Sequence, residues 1–166
     1  GETEETFTYR IHWGDGTALQ TVSGNPAAVT HVFANGPAAC TVSAQAVNED
    51  GTFAAGNTLA VTVANVAPTV TINGLPASSA EGTTINLTST VTDPGGEPFT
   101  YAWTVTKNGT VSGVLGTEPN FTFIPDDNGT YSVSLTVSDG TDSRQATTVT
   151  RTVYDREPNP LISGPT

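Results

Sequence analysis

The sequence predicts an all-β chain of tandem β-sandwiches, and three observations carry that expectation. Tyr131, Val133, Leu135 and Val137 alternate with Ser132, Ser134, Thr136 and Ser138, the period-2 pattern of a half-buried strand. A matching run earlier, Cys40, Val42, Ala44 and Ala46 followed by Asn48-Glu-Asp-Gly51, shows that the chain repeats at about ninety residues. Dense Gly, Pro, Asn and Asp punctuation with no sustained 3.6-residue periodicity excludes long helices, while abundant Thr suits solvent faces of short strands. A length of 166 residues has room for two small domains of this kind.

In chain order, Phe7, Tyr9, Ile11 and Trp13 form the inward face of a strand that ends in the turn Gly14-Asp15-Gly16. Tyr9-x-Ile11-x-Trp13-Gly14-Asp15-Gly16 resembles the Tyr-x-Trp-x-Phe-Gly-Asp-Gly signature of PKD (polycystic kidney disease) domains. His31-Val-Phe33 resembles the His-x-Tyr element that follows it. Ile11 and Trp13 replace the usual Trp and Phe. The resemblance implies immunoglobulin-like sandwiches, with Trp13 and Asp15 in structural roles.

The second repeat opens at Ala67-Pro68. Val70 and Ile72 indicate strand A; Ile85, Leu87 and Val91 strand B; Phe99, Tyr101, Trp103 and Val105 strand C; Phe121 and Phe123 strand E; residues 147–153 strand G. Trp103 takes the core Trp position that the resemblance implies, and Thr106-Lys-Asn-Gly109 stands where Gly-Asp-Gly is expected. Asp127-x-Gly129-x-Tyr131 resembles the tyrosine corner of immunoglobulin-like sandwiches, in which the hydroxyl ties the E–F connection to nearby backbone. Arg151 falls on a nominally inward position, where only snorkelling from a strand end would accommodate it.

The Val-x-x-x-x-Pro spacing of Val63 to Pro68 recurs at Val153 to Pro158, which makes the tail a further first strand. The expected organisation is therefore a repeat at 1–64 with strands C to G but no A or B, a complete repeat at 65–154, and residues 155–166 opening a following repeat or donating a strand. Such a first repeat would leave the inner face around Ile11, Trp13 and Phe33 to be covered by upstream residues or by a neighbouring subunit. An array fragment is the favoured reading over strand exchange.

The formal charge is −11, from five Lys and Arg against sixteen Asp and Glu, so phosphate neutralisation is not available and nucleic acid is excluded as a partner. Membrane insertion by this segment is not expected, because no apolar run is long enough to span a bilayer. One cysteine permits no intrachain disulfide, and Cys40 reads as a buried thiol packed as a small hydrophobe. His12 and His31 lack partners at metal spacing, and no nucleophile elbow or triad is present, so an enzyme is not expected. Asn86, Asn108, Asn120 and Asn128 begin Asn-x-Thr sequons, which a Thr-rich chain also makes by chance.

The turn carboxylates form two candidate calcium sites. Strand order puts Glu81, Asp126 and Asp127 at the trailing pole of the second repeat beside Asp155 and Glu157, an arrangement that resembles cadherin-type interdomain sites. Asp93, Glu97, Asp139 and Asp142 fall at the leading pole, where Asp93, Asp139 and Asp142 form the second candidate set. Calcium takes six to eight oxygens and would relieve repulsion between crowded acids; solvated turn acids are the equal alternative. The expected function is a structural or adhesive extracellular module of a secreted or surface protein, expected to be bacterial, spacing domains or assembling with like repeats or identical subunits through protein or glycan contacts. The alternative is a noncatalytic carbohydrate-binding accessory of a secreted hydrolase, which a row of exposed aromatics would favour.

Overall fold

In a computed structural model, residues 5–157 are described, and they fall in two compact units that divide between Val66 and Ala67. The first unit is one antiparallel sheet of β1 (Thr8–His12), β2 (Gln20–Ser23), β3 (Ala38–Asn48), β4 (Gly51–Ala54) and β5 (Leu59–Val63). The order is β2-β1-β3-β4, and β3 is long enough to pair β5 along its first half and β4 along its second. Register sets Tyr9 opposite Ala46, Ile11 opposite Ala44 and Cys40 opposite Val61, so the alternating apolar residues share a face. Cys40 is buried.

The face around Ile11, Trp13 and Phe33 departs from expectation. Among the described residues no strand E forms between Ser23 and Ala38. Instead His31 and Phe33 from that irregular segment lie against Trp13, with ring centroids 4.5 Å and 6.3 Å away, and Trp13 Nε1 donates to Gln20 Oε1 at 2.8 Å. Ile11 is consequently buried and Trp13 half-buried. The residues left in water on the inner face are Phe53 and Leu59, at 52% and 63% exposure, farther along the sheet.

The second unit is a two-sheet sandwich. One sheet has the order β10 (Thr110–Gly116), β9 (Thr100–Lys107), β12 (Gly129–Ser138), β14 (Val149–Tyr154), β7 (Ser78–Ala80), with β13 (Ser143–Gln145) also on β12. The other has the order β11 (Asn120–Phe123), β8 (Ile85–Thr92), β6 (Thr69–Asn73). Inward residues of both sheets form a single cluster, with Val105, Val133, Leu135 and Val137 fully enclosed. Trp103 is 1% exposed, stacks on Phe121 and donates its Nε1–H to the Glu118 carbonyl at 2.8 Å. A buried indole needs such an acceptor.

Strands A, B, C, E, F and G appear where the alternation puts them, as β6, β8, β9, β11, β12 and β14. The missing Gly-Asp-Gly signature is replaced by a tight hairpin from β9 to β10. Asn108 and Gly109 both take positive φ, 51° and 82°, the conformation a two-residue hairpin requires. At Gly14 the reason for glycine is space as well as its φ of 80°, since a Cβ would sit 2.6 Å from the Thr41 backbone. Among the described residues no helix is long and apolar enough to cross a membrane.

Candidate functional site: poles, corner and clamp

The topology brings the expected backbone segments together at the trailing pole. Glu81 N donates to the Tyr154 carbonyl at 2.9 Å and Gly82 N to the Pro125 carbonyl at 2.8 Å, so the β7–β8 turn lies beside the E–F corner. The carboxylates there meet a cation from the protein itself. Lys107 Nζ lies 3.1 Å from Asp126 Oδ1 and 3.2 Å from Asp127 Oδ2. The Tyr131 hydroxyl sits 2.5 Å from Asp126 Oδ1 and 3.0 Å from the Asp127 carbonyl, which completes a tyrosine corner.

These contacts set the protonation states. The hydrogen bond from Tyr131, and then Lys107, hold Asp126 below the ordinary carboxylate range; Lys107, and then the Asn128 amide, do the same for Asp127. Burial pushes Lys107 down, but its hydrogen bonds to Asp126 and Asp127 outweigh this and leave it raised. Burial, reinforced by Asp126, raises Tyr131. A calcium ion on Asp126 and Asp127 would have to displace Lys107, so this pair does not fit the metal. Asp155 and Glu157 are exposed in the irregular segment after β14, and Glu81 is half-buried.

At the leading pole, Asp93 Oδ1 accepts the Gly95 amide at 2.7 Å, while Oδ2 is buried without a hydrogen-bond partner. Asp139 is buried, and its Oδ1 takes the amides of Thr141 and Asp142 at 2.8 and 2.7 Å. Both acids cap their own turns, the Asx geometry that their positions before Gly-rich turns favour. An orphaned buried carboxylate oxygen does fit a hard cation. Among the described residues, the group of three acids whose oxygens all lie within 4.8 Å is elsewhere, at Glu5, Glu49 and Asp50 on the first unit.

Asp15 and His31 form a couple that residue spacing did not predict. His31 Nε2 lies 2.6 Å from Asp15 Oδ2, while Asp15 Oδ1 accepts Thr17 Oγ1 at 2.6 Å and Thr17 N at 3.1 Å. The Thr17 hydroxyl first, and His31 next, hold Asp15 well below the usual range. The couple fixes the Gly-Asp-Gly turn against the segment that covers Trp13.

Arg151 resolves differently from a snorkelling inward residue. It pairs with Tyr131 in register yet is exposed, and its Nε donates to the Pro76 carbonyl at 3.1 Å. Next to it β14 and β7 run parallel, with Thr152 opposite Ser78, Val153 opposite Ser79 and Tyr154 opposite Ala80.

A family model described as PKD domain matches residues 65–153. The chain belongs to the PKD domain family. Membership suggests an extracellular structural or adhesive domain of a typically noncatalytic kind. Among solved structures, fibronectin(III)-like modules of Clostridium thermocellum CbhA align at 17% identity and a TM-score of 0.39, over 94% of this chain and 82% of that one. Mouse nectin-like molecule 4 aligns at 18% and 0.42, over 95% and 57%. Chicken CNTN1 FN1–FN3 aligns at 14% and 0.40, over 89% and 56%. No curated protein sequence matches the chain.

Proposed function

We propose that this PKD chain is a noncatalytic extracellular spacer that carries tension between neighbouring repeats of a secreted or surface protein. The observation that carries the reading is the parallel β7–β14 pair. The chain enters the second repeat through β6 and β7 and leaves through β14, so tension draws β7 toward its N-terminus and β14 toward its C-terminus. Parallel strands pulled in opposite directions load all their cross-strand bonds together. Arg151 to Pro76 at one end and Glu81 to Tyr154 at the other bracket the pair.

Spacing suits the closed core of the second repeat, and adhesion between like repeats or subunits suits the apolar residues left exposed on the first sheet. Phe53 and Leu59 are the residues such a neighbour would cover. Calcium, in this reading, belongs at the leading pole: Asp139 and Asp142 would draw in toward Asp93 to hold it, and the ion would neutralise the buried Asp93 Oδ2. Pulling single molecules end to end tests the proposal, because forced rupture reads the unfolding rate. Arg151→Ala should lower the rupture force of the second repeat, and an unchanged force would remove the clamp.

A further inference from the structure

The outer face of the three-stranded sheet carries a composition that neither core packing nor the clamp requires. All nine outward side chains of β6, β8 and β11 are Thr or Asn, and every one is exposed. A typical soluble surface would place about a quarter to a third charged residues there. The chain has 21 charged side chains and sets none of them on this face. The nearby acids sit in turns, Asp93 after β8, Asp126 and Asp127 after β11, and Asp139 and Asp142 after β12 of the other sheet.

Six of the nine polar side chains are bonded in pairs across the strands. Asn73 Nδ2 donates to Thr90 Oγ1 at 3.0 Å, Thr122 Oγ1 donates to Asn86 Oδ1 at 2.9 Å, and the hydroxyls of Thr69 and Thr92 are in contact. Groups already paired lose little when water leaves, whereas unpaired ones cost the full desolvation penalty. The face therefore presents three cross-strand polar pairs and threonine methyls, all on short side chains.

We infer that this face docks against the same face of a second copy of the chain, deepening the spacer reading by giving the repeats a lateral contact. Two acidic molecules repel wherever their turns meet, and a neutral sheet face is where identical copies approach without opposing like charges. The face has no aromatic side chain to stack on a sugar ring, which sets a glycan aside as its occupant. A single contact is weak. Three strands about 4.8 Å apart and five residues long cover only about 200–300 Å², well short of the ~800 Å² per partner of a stable complex. The affinity expected is millimolar, useful where linked repeats bind in parallel and multiply it.

The test is a dilution series of the full chain followed by backbone amide NMR. Shifts that depend on concentration should map to β6, β8 and β11. Thr71→Lys with Thr90→Lys sets like charges on cross-strand partners of every copy and moves the net charge toward zero, so overall repulsion does not rise; it should abolish the shifts while the core resonances stay in place. Thr71→Val with Thr90→Val should tighten the association several-fold by adding apolar area. An absence of shifts on β6, β8 and β11, whether or not the first sheet around Phe53 and Leu59 shifts, overturns the inference, as do shifts on those three strands that survive the charged pair. So does a neutral glucan oligosaccharide that moves these amides in dilute protein, which would make the face a glycan site. Because the clamp lies on β7 and β14, its rupture force stands or falls separately from this result.

Discussion

Trp103→Ala gives the sharpest prediction about what holds the second repeat together. The indole is 1% exposed, stacks on Phe121 at a centroid distance of 5.3 Å and donates 2.8 Å to the Glu118 carbonyl. Truncating a buried aromatic to alanine costs about 3–5 kcal/mol through lost burial and the cavity left behind. Trp103→Phe keeps an aromatic surface against Phe121 and loses mainly the hydrogen bond and part of the volume, for about 1–2 kcal/mol. Native-state amide exchange of Val133 and Leu135 isolates this repeat from the other, since both are fully buried on its central strand β12. At about 1.4 kcal/mol per tenfold, Trp103→Ala should speed their exchange by about two to three and a half orders of magnitude, and Trp103→Phe by about tenfold. A Trp103→Ala effect below about tenfold would refute the assignment of this residue as the centre of the core.

The corner cluster predicts an acid-side loss of stability. Asp126 and Asp127 are depressed in the folded state, so their contribution is complete above the unfolded Asp value of about 3.9 and is lost as pH falls through their lower folded values. Lys107→Met should bring both carboxyls back toward the ordinary range, visible as upward-shifted carboxyl titrations by carbon NMR. The same sign holds for Asp15, so Asp15→Asn should flatten the acid dependence of the first unit, read from Trp13 fluorescence between about pH 2 and 5. Calcium at about 1 mM, in the range of extracellular modules, should slow β12 amide exchange, and Asp93→Asn should remove that response. Identical exchange with calcium and with chelator would exclude the metal at that pole.

Much of the fold could be read in the sequence because most strands obey a single rule. Where one face is buried, alternation specifies both the strand and its register, as for Tyr131 to Val137 against Trp103 and Val105. The short edge strand Ser78–Ala80 carries no such pattern, because its identity comes from backbone pairing to β14 rather than from side chains. Arg151 was opaque for the same reason: register makes it inward, and only the position of Pro76 explains why it turns out. At the trailing pole the topology was legible from strand order, but the partner of Asp126 and Asp127 was not. Lys107 is the single lysine of the chain and faces Tyr131 in register, a signal visible once β9 and β12 are paired. The cover over Trp13 was hidden because residues 24–37 have no period and pack through His31 and Phe33 instead. The expected donor strand at 158–164 lies outside the described residues.

The claim that this repeat carries tension is tested most directly by changing the direction of pull. Attached end to end, the β7–β14 pair is sheared and its bonds resist together. Handles at Thr83 and Asp155 lie at neighbouring ends of the same pair, beyond Ala80 and Tyr154, and peel it one bond at a time. The account predicts a clearly higher rupture force for the end-to-end geometry than for the peeling geometry, with Arg151→Ala narrowing the gap. Equal forces in the two directions, or a lower force end to end, would contradict it.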